Sequence, residues 1–376
     1  MSFSFGFSND DIESDLQTND FASTEQHFNV NPLDDSRLLA SEVVQPQYEE
    51  LNTLLQSLKD VRLSFEEFLT PQQTVLFRRE LFDVKHQLMS ESEDLATDKS
   101  INEDQNVELE ILIGETAEDV RKNVYEGGLK SWECSIDLVD SIVIQNTENQ
   151  LNNYDFIVEL GCGSALPSDY IFRWYLQNFL DRGVTMVLSD YNRSVLRLVT
   201  LPNLIITWAK TVLNEEQWES LQKTSEDDEI PIHGNELLLS AKLLEAFALD
   251  LQLKNIQIKF VSGSWGRKFN NLIKSNASPV KGMLLLTSET IYQPENLPVV
   301  GETILDLKLH YNNFLNHQNV VSLIAAKDIY FGVGGSVIEF ENYINHRLEE
   351  LGKKGEINFA TFRMKDYMKR SITRLA

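Results

Sequence analysis

An α/β fold built on a mostly parallel sheet is predicted by three features of the chain. Asp155–Tyr170, DFIVELGCGSALPSDY, is a short apolar run that breaks into Gly161-Cys162-Gly163 and then turns helical, the pattern of strand, tight turn and helix. Val184–Asn192, VTMVLSDYN, is a second strand ending in an acid, Asp190. Farther along, GMLLLTSETIYQP opens with an apolar run of the kind found in strands buried on both faces, which parallel sheets contain.

The glycine turn and the acid together describe a ligand. A side chain at Gly161 or Gly163 would block the approach of backbone to a bound group, and a carboxylate at the second strand tip suits the hydroxyl pair of a ribose. Dinucleotide folds use G-x-G-x-x-G to seat a pyrophosphate on a helix N-terminus. Here the third glycine is replaced and Pro167 follows, so acid-x-G-x-G fits S-adenosylmethionine better, with Glu159 facing the amino-acid end of that cofactor.

Composition narrows the class. The chain has 376 residues, 42% of them hydrophobic, enough for one large domain or two modest ones. No apolar run is read as a membrane span, and MSFSFGFSND lacks the basic and apolar regions of a signal peptide. Cys134 and Cys162 have neither CxxC nor scaffold spacing, so a reducing compartment is expected and a metal site is not. The histidines, His86 and His310 among them, show no ligand spacing. A formal net charge of -25 repels nucleic-acid phosphates and favours a basic partner.

Along the chain, residues 1–50 carry eleven acids against one base, Arg37, and are expected to be a disordered acidic tail. Residues 51–106 read as a helical extension, with Leu51, Leu54, Leu55 and Leu58 and then SFEEFLTPQQTVLFRRELFDVKHQL on apolar faces, closed by a polar linker from Ser90 to Asn106. The catalytic domain is set at 107–376. It opens with VELEILIGE as a strand or hairpin and with a helix near Ser131 that carries Trp132 and Glu133 at its start. After the second strand come a helix broken at Pro202, an exposed excursion over NEEQWESLQKTSEDDEIPIHG and a strong helix over NELLLSAKLLEAFALDL. The third strand, IQIKFVSGSWG, ends in Gly263, Ser264 and Trp265, an apolar face and a polar edge for an adenine. The fourth runs into Ser288, Glu289 and Tyr292, where a transferred methyl would meet its acceptor. A fifth, NVVSLIAAKDIYFGVGG, brings Lys327, Asp328 and Tyr330 to the same edge, and EINFATFRM and RSITRLA complete seven strands with a C-terminal hairpin, a Rossmann-like methyltransferase layout.

The motifs RKNVYEGGLKSWECSIDLVD, VELGCGSALPS, LSDYNRSVLRLVTLPN, SGSWGRKF, SETIYQPENLP and AAKDIYFGVGGS, in that order, closely resemble the eukaryotic protein-histidine N-methyltransferases, with likeness from about Leu58 to the end. The MSFSFGF start and the SLKDVRLSFEEF and RRELFDVKHQL stretches look like the fungal members. The resemblance implies transfer of a methyl from S-adenosylmethionine, leaving S-adenosylhomocysteine, to the distal Nε2 of a histidine in the third large-subunit ribosomal protein. It implies cofactor contacts at Trp132, Glu133, Gly161, Asp190, Tyr191, Asn192, Gly263, Ser264, Trp265 and Ser288, to which the residue reading adds Gly163.

Histidine is mostly neutral near pH 7, so the enzyme's task is to hold its tautomer: an acceptor on Nδ1–H leaves Nε2 bare. Glu289 is the first candidate for that acceptor, with Tyr292, Asn192 and Asp328 as alternatives and a helix cap near Pro294 as the plain structural role for Glu289. The expected partner is a basic ribosomal protein, with no direct nucleic acid binding and no membrane. A monomer working in the cytoplasm and nucleus, with an effect on ribosome biogenesis and translation, is expected. A lysine or small-molecule methyltransferase on the same fold, a ribosomal-protein assembly factor and, more distantly, a nicotinamide oxidoreductase are the rivals.

Overall fold

The structure is a computed structural model and describes residues 30–41, 43–95, 127–145, 150–178, 183–223, 233–275, 280–314, 319–364 and 369–376. The chain divides into two compact units, Met1–Asn31 and Pro32–Ala376, and the second holds everything below. Two short 3₁₀ turns, Pro32–Asp34 and Ser36–Leu39, lead to β1 (Gln47–Glu49) and α1 (Leu51–Ser57). A hairpin of β2 (Arg62–Leu69) and β3 (Val75–Arg79) precedes α2 (Leu81–Leu95). Then follow α3 (Glu133–Gln145), β4 (Phe156–Leu160), α4 (Leu166–Gln177), β5 (Val184–Asp190), α5 (Arg193–Val212), α6 (Glu215–Gln222), β6 (Glu236–Leu238), α7 (Ala241–Leu253) and β7 (Ile256–Ser262). The chain ends with α8 (Arg267–Lys274), β8 (Met283–Ser288), α9 (Leu297–Phe314), β9 (Val320–Lys327), α10 (Val337–Glu350), β10 (Phe359–Arg363) and β11 (Arg370–Leu375).

The main sheet runs β1-β7-β5-β4-β8-β9-β11-β10, with the five central strands parallel and β1, β11 and β10 antiparallel to their neighbours. Helices cover both faces, so β4 and β8 are apolar along almost their whole length: Phe156, Ile157, Val158, Leu160, Met283, Leu284, Leu285 and Leu286 are all buried. From β4 the chain winds out to β5 and β7, then returns to the other side of β4 for β8 and β9. That reversal opens a crevice at the C-terminal strand ends, where ligands sit in such sheets. The seven expected strands are present, with β1 as an eighth.

Several expectations change. Pro32–Glu49, placed in a disordered tail, is a strap along the sheet edge: Gln47, Tyr48 and Glu49 pair with Ser262, Val261 and Phe260 of β7, and Leu33 is buried. Of the stretch read as a second amphipathic piece, the first part is the β2–β3 hairpin, because Leu63 and Phe65 alternate with outward residues and β2 also pairs with β6, more than 170 residues later, while its last part, from Leu81, is helical in α2 as expected. That pairing takes Leu237 and Leu238 away from the expected helix, which starts only after the Ser240 N-cap. α2 continues to Leu95, past the start of the expected linker, while the proposed domain start near Val107 and the VELEILIGE strand lie outside the described residues. The excursion after Val212 includes α6, opened by an Asn214–Gln217 capping box.

Pro202 does not break its helix. A proline has no N–H for the carbonyl four residues back, which is that of Leu198. Here the turn Leu196–Thr200 widens to a π form, and the buried Arg79 guanidinium donates to the Leu198 carbonyl at 2.9 Å through Nη1. The same side chain reaches Asp83 at 2.6 Å and Gln87 at 2.7 Å, and its main-chain N–H donates to Asn203 Oδ1 at 2.8 Å. Arg79 thus fastens the hairpin to α5. By length and composition α5 could cross a membrane, against the reading that no run is so apolar, but 78% of that window is buried inside the protein. Replacing Arg79 with Met strands the Leu198 carbonyl and the Asp83 carboxylate, and chemical denaturation is expected to show a loss of about 3–5 kcal/mol. A loss below about 1 kcal/mol would contradict this account.

Candidate functional site

A cavity of about 1150 Å³ lies at the C-terminal ends of β4, β5, β7, β8 and β9. Its first half is built around the glycine turn. Gly161 adopts φ +60°, and a Cβ there would stand 2.7 Å from Thr290 Cγ2, so only glycine fits the backbone's position. The Cys162 N–H donates to the Ser189 carbonyl at 2.8 Å and the Gly163 N–H to Asp190 Oδ2 at 3.0 Å. The turn after the first core strand is therefore clipped to the tip of the second. Asp190 Oδ1 accepts the Asn192 N–H at 3.2 Å.

Tyr191, Gly263, Ser264 and Trp265 continue this wall, and the strap closes it. The Ser264 N–H donates to the Val44 carbonyl at 2.9 Å, and the Val44 N–H to Tyr191 Oη at 3.4 Å. The Gln45 carbonyl passes so near Gly263 that a Cβ there would be 2.7 Å away. Asp34 pairs with Arg267 at 2.8 Å, which holds the strap to α8, and Asp35, Arg37, Leu38, Ala40 and Val43 line the cavity. Sequence reasoning missed all five, because acid-rich composition outweighed the few apolar residues around Pro32.

The second half is formed by the tips of β8 and β9. Ser288, Glu289, Tyr292, Lys327, Asp328 and Tyr330 line it, as expected, together with Trp132. Glu289 sits at φ +58° with its side chain 7% exposed, and its Oε2 accepts the Tyr330 hydroxyl at 2.6 Å. It caps no helix, since α9 starts only at Leu297. Lys327 Nζ stands 3.3 Å from Glu133 Oε2, 3.8 Å from Glu289 Oε1 and 5.4 Å over the Trp132 ring. The Trp132 indole is fixed by donating to the Gly127 carbonyl at 3.1 Å. Burial, reinforced by the Glu289 charge, pushes the Tyr330 hydroxyl and the Cys134 thiol far above their ordinary ranges, so both remain protonated.

Three expected site residues do not line the cavity: Glu133, Asn192 and Glu159. The Glu133 carboxylate is turned to Lys327 instead. Asn192 is buried at the start of α5 and acts on the site through the main-chain N–H that holds Asp190. Glu159 does not face a cofactor's amino-acid end. It is fully buried, with Oε2 accepting the Ser168 N–H at 3.1 Å in the first turn of α4.

The cavity fits S-adenosylmethionine: glycine backbone at Gly161, Gly163 and Gly263, a carboxylate for the ribose at Asp190, an aromatic at Trp265 and a volume large enough for an acceptor side chain besides. No family model matches the chain. It is 52% identical to Histidine protein methyltransferase 1 of Saccharomyces cerevisiae over 382 residues, covering 99% of this chain and 97% of that one. The chain belongs to the histidine protein methyltransferase family. It is a methyltransferase with S-adenosylmethionine as methyl donor. Histidine protein methyltransferase 1 of Schizosaccharomyces pombe is 37% identical over 274 residues, covering 73% of this chain and 69% of that one. A solved Podospora anserina methyltransferase bound to S-adenosylhomocysteine aligns over 77% of this chain and 96% of its own at 10% identity and a TM-score of 0.29, too loose a likeness to inform the site.

The position of Glu159 has a measurable consequence. Burial, and after it the neighbouring Asp190 charge, raises its carboxyl from the ordinary 4.5 to about 7. The folded protein then keeps a proton that the unfolded chain loses between those values, so this residue's contribution to stability falls as pH rises from about 4.5 to about 7. Glu159→Gln removes that dependence. In urea titrations the variant is expected to gain about 3 kcal/mol on the parent between pH 4.5 and 7.5. A difference constant over that range would contradict the assignment.

Proposed function

We propose that the protein methylates the distal nitrogen, Nε2, of a histidine in a basic large-subunit ribosomal protein, acting as a monomer in the cytoplasm and nucleus and thereby affecting ribosome biogenesis and translation. The observation that carries this reading is Glu289, a buried carboxylate at the tip of β8 whose Oε1 receives no hydrogen bond among the described residues. Membership of the family supports histidine as the acceptor. The net charge of -25 supports a basic substrate. The six ordered motifs of the sequence, by their resemblance, support the ribosomal protein.

Bound S-adenosylmethionine supplies a methyl whose bonding pair stays with sulfur, leaving S-adenosylhomocysteine. The chain's part is to orient a neutral imidazole, which needs no strong base near pH 7. Glu289 Oε1 accepts the Nδ1–H, so the lone pair is on Nε2 and forms the new N–C bond. Positive charge then spreads over the ring and is stabilised by the same carboxylate, to which the Nδ1 proton can pass. Tyr292, lining the cavity beside Glu289, forms the side of the acceptor slot.

Incubating the protein with isotopically labelled S-adenosylmethionine and purified large-subunit proteins, then digesting and sequencing by mass spectrometry, is expected to place the label on one histidine. Label on lysine would replace this reading with the lysine alternative. Glu289→Gln is expected to lower turnover about a hundredfold and Tyr292→Phe about tenfold, with little change in cofactor affinity by calorimetry. Undiminished turnover in both variants would remove the roles given to them.

A further inference from the structure

Resting on the reading of Glu289 above, we infer that Tyr330 is the positioning residue of the acceptor site: it holds one oxygen of Glu289 so that the other is presented to the target imidazole, and so decides which nitrogen is methylated.

The geometry is specific. Tyr330 follows β9 by three residues and is the pivot of a tight loop, its carbonyl accepting the Val333 and Gly334 N–H groups and its own N–H donating to the Gly335 carbonyl at 2.9 Å. The Gly335 N–H in turn donates to the Tyr292 carbonyl at 3.0 Å, which ties this loop to the segment after β8. The ring is therefore set by backbone on both sides. The Lys327 main-chain N–H donates to the hydroxyl oxygen at 3.3 Å, and the hydroxyl proton goes to Glu289 Oε2 at 2.6 Å.

Glu289 is held at the other end too. Its N–H donates to the Ala325 carbonyl at 2.9 Å, and its left-handed backbone, unusual for a residue with a side chain, is kept only because the surroundings impose it. With Oε2 taken, Oε1 is buried and accepts no N–H or O–H among the described residues; the buried Cys134 thiol, a weak donor, lies against the same carboxylate. An orphaned charged oxygen is costly unless a ligand supplies the missing donor. Lys327 Nζ does not close this gap. At 3.8 Å it lies beyond hydrogen-bonding reach of Oε1, drawn to Glu133 and the Trp132 ring, so it lends positive potential without occupying the oxygen.

The donor that Oε1 lacks is an N–H presented inside the cavity, and a neutral imidazole brings one N–H with a bare nitrogen on the opposite side of the ring. A carboxylate free to rotate would present either oxygen at a range of angles and would admit the other tautomer as well. Clamping Oε2 removes that freedom. Tyr330 touches neither the methyl nor the imidazole nitrogen that attacks, and acts through Glu289.

The test is Tyr330→Phe, which deletes the hydroxyl and keeps the ring, assayed on the full chain with labelled donor and a histidine-containing substrate protein. Expected are a kcat lower by about ten- to a hundredfold, a substrate KM changed less than about threefold, and methyl appearing on Nδ1 as well as Nε2 when the isomers are separated after hydrolysis. Cofactor affinity by calorimetry reports on folding and is expected to match the parent. A kcat and isomer ratio equal to those of the parent overturn the role of Tyr330. A fall in kcat accompanied by an equal fall in cofactor affinity also overturns it, in favour of a merely structural role. A parent enzyme that makes no methylhistidine at all removes the reading of function instead, so the two failures are distinguishable.

Discussion

Strands buried on both faces cannot carry unpaired charge along their length, and that constraint arranges this protein. The acids of β5, β8 and β9 are pushed to the C-terminal tips, where Asp190, Glu289 and Asp328 stand at the mouth of one crevice. Glu159 is the exception that shows the rule. Lying within β4, it is buried, and its carboxyl responds by shifting upward to about 7 while taking the Ser168 N–H at the start of α4. Function here is concentrated at strand ends because no other part of the sheet could hold it.

The same constraint explains what could be read from the residues. GMLLLTS and FIVEL are legible as core strands because burial on both faces leaves a mark that needs no neighbour to interpret, and the glycines that follow FIVEL mark the turn. Glu289, Tyr292 and Tyr330 were legible for the same reason: each follows such a run by a few residues. What escaped depends on partners far away in sequence. Arg62–Leu69 reads as helix until β6 is beside it, and Pro202 reads as a break until Arg79 takes over the Leu198 carbonyl. The strap residues Leu33, Leu38 and Val43 are too few to signal order against so many acids; Ser264, Tyr191 and Arg267 fix them in place.

The strap also alters the site's character. Without it the first half of the cavity would be an open groove along the tips of β5 and β7. With it, that half is bounded by the strap ahead of β1, at Asp35, Arg37, Leu38, Ala40 and Val43, on one side and by the glycine turn on the other, while the second half, toward Ile329, Phe331 and Val333, keeps a rim of exposed apolar side chains. An enclosed end suits a small cofactor, and an apolar, open end suits part of a larger molecule. On the proposed reading, cofactor and protein substrate each approach the strand tips from their own side.

Between the two halves the selectivity problem is one of tautomers. Neutral imidazole offers two nitrogens of similar nucleophilicity, and a hydrophobic slot alone could not tell one from the other. A fixed acceptor can, because burying its charge without a donor is costly, and only the ring orientation that supplies the N–H relieves that cost. The left-handed backbone of Glu289, the Tyr330 hydroxyl and the Lys327 ammonium drawn to Glu133 all bear on one carboxylate oxygen, which is fixed in place and accepts no hydrogen bond among the described residues. On the proposed reading, the substrate's own N–H completes that strained group, and recognition of histidine and choice of its nitrogen would then arise from a single hydrogen bond.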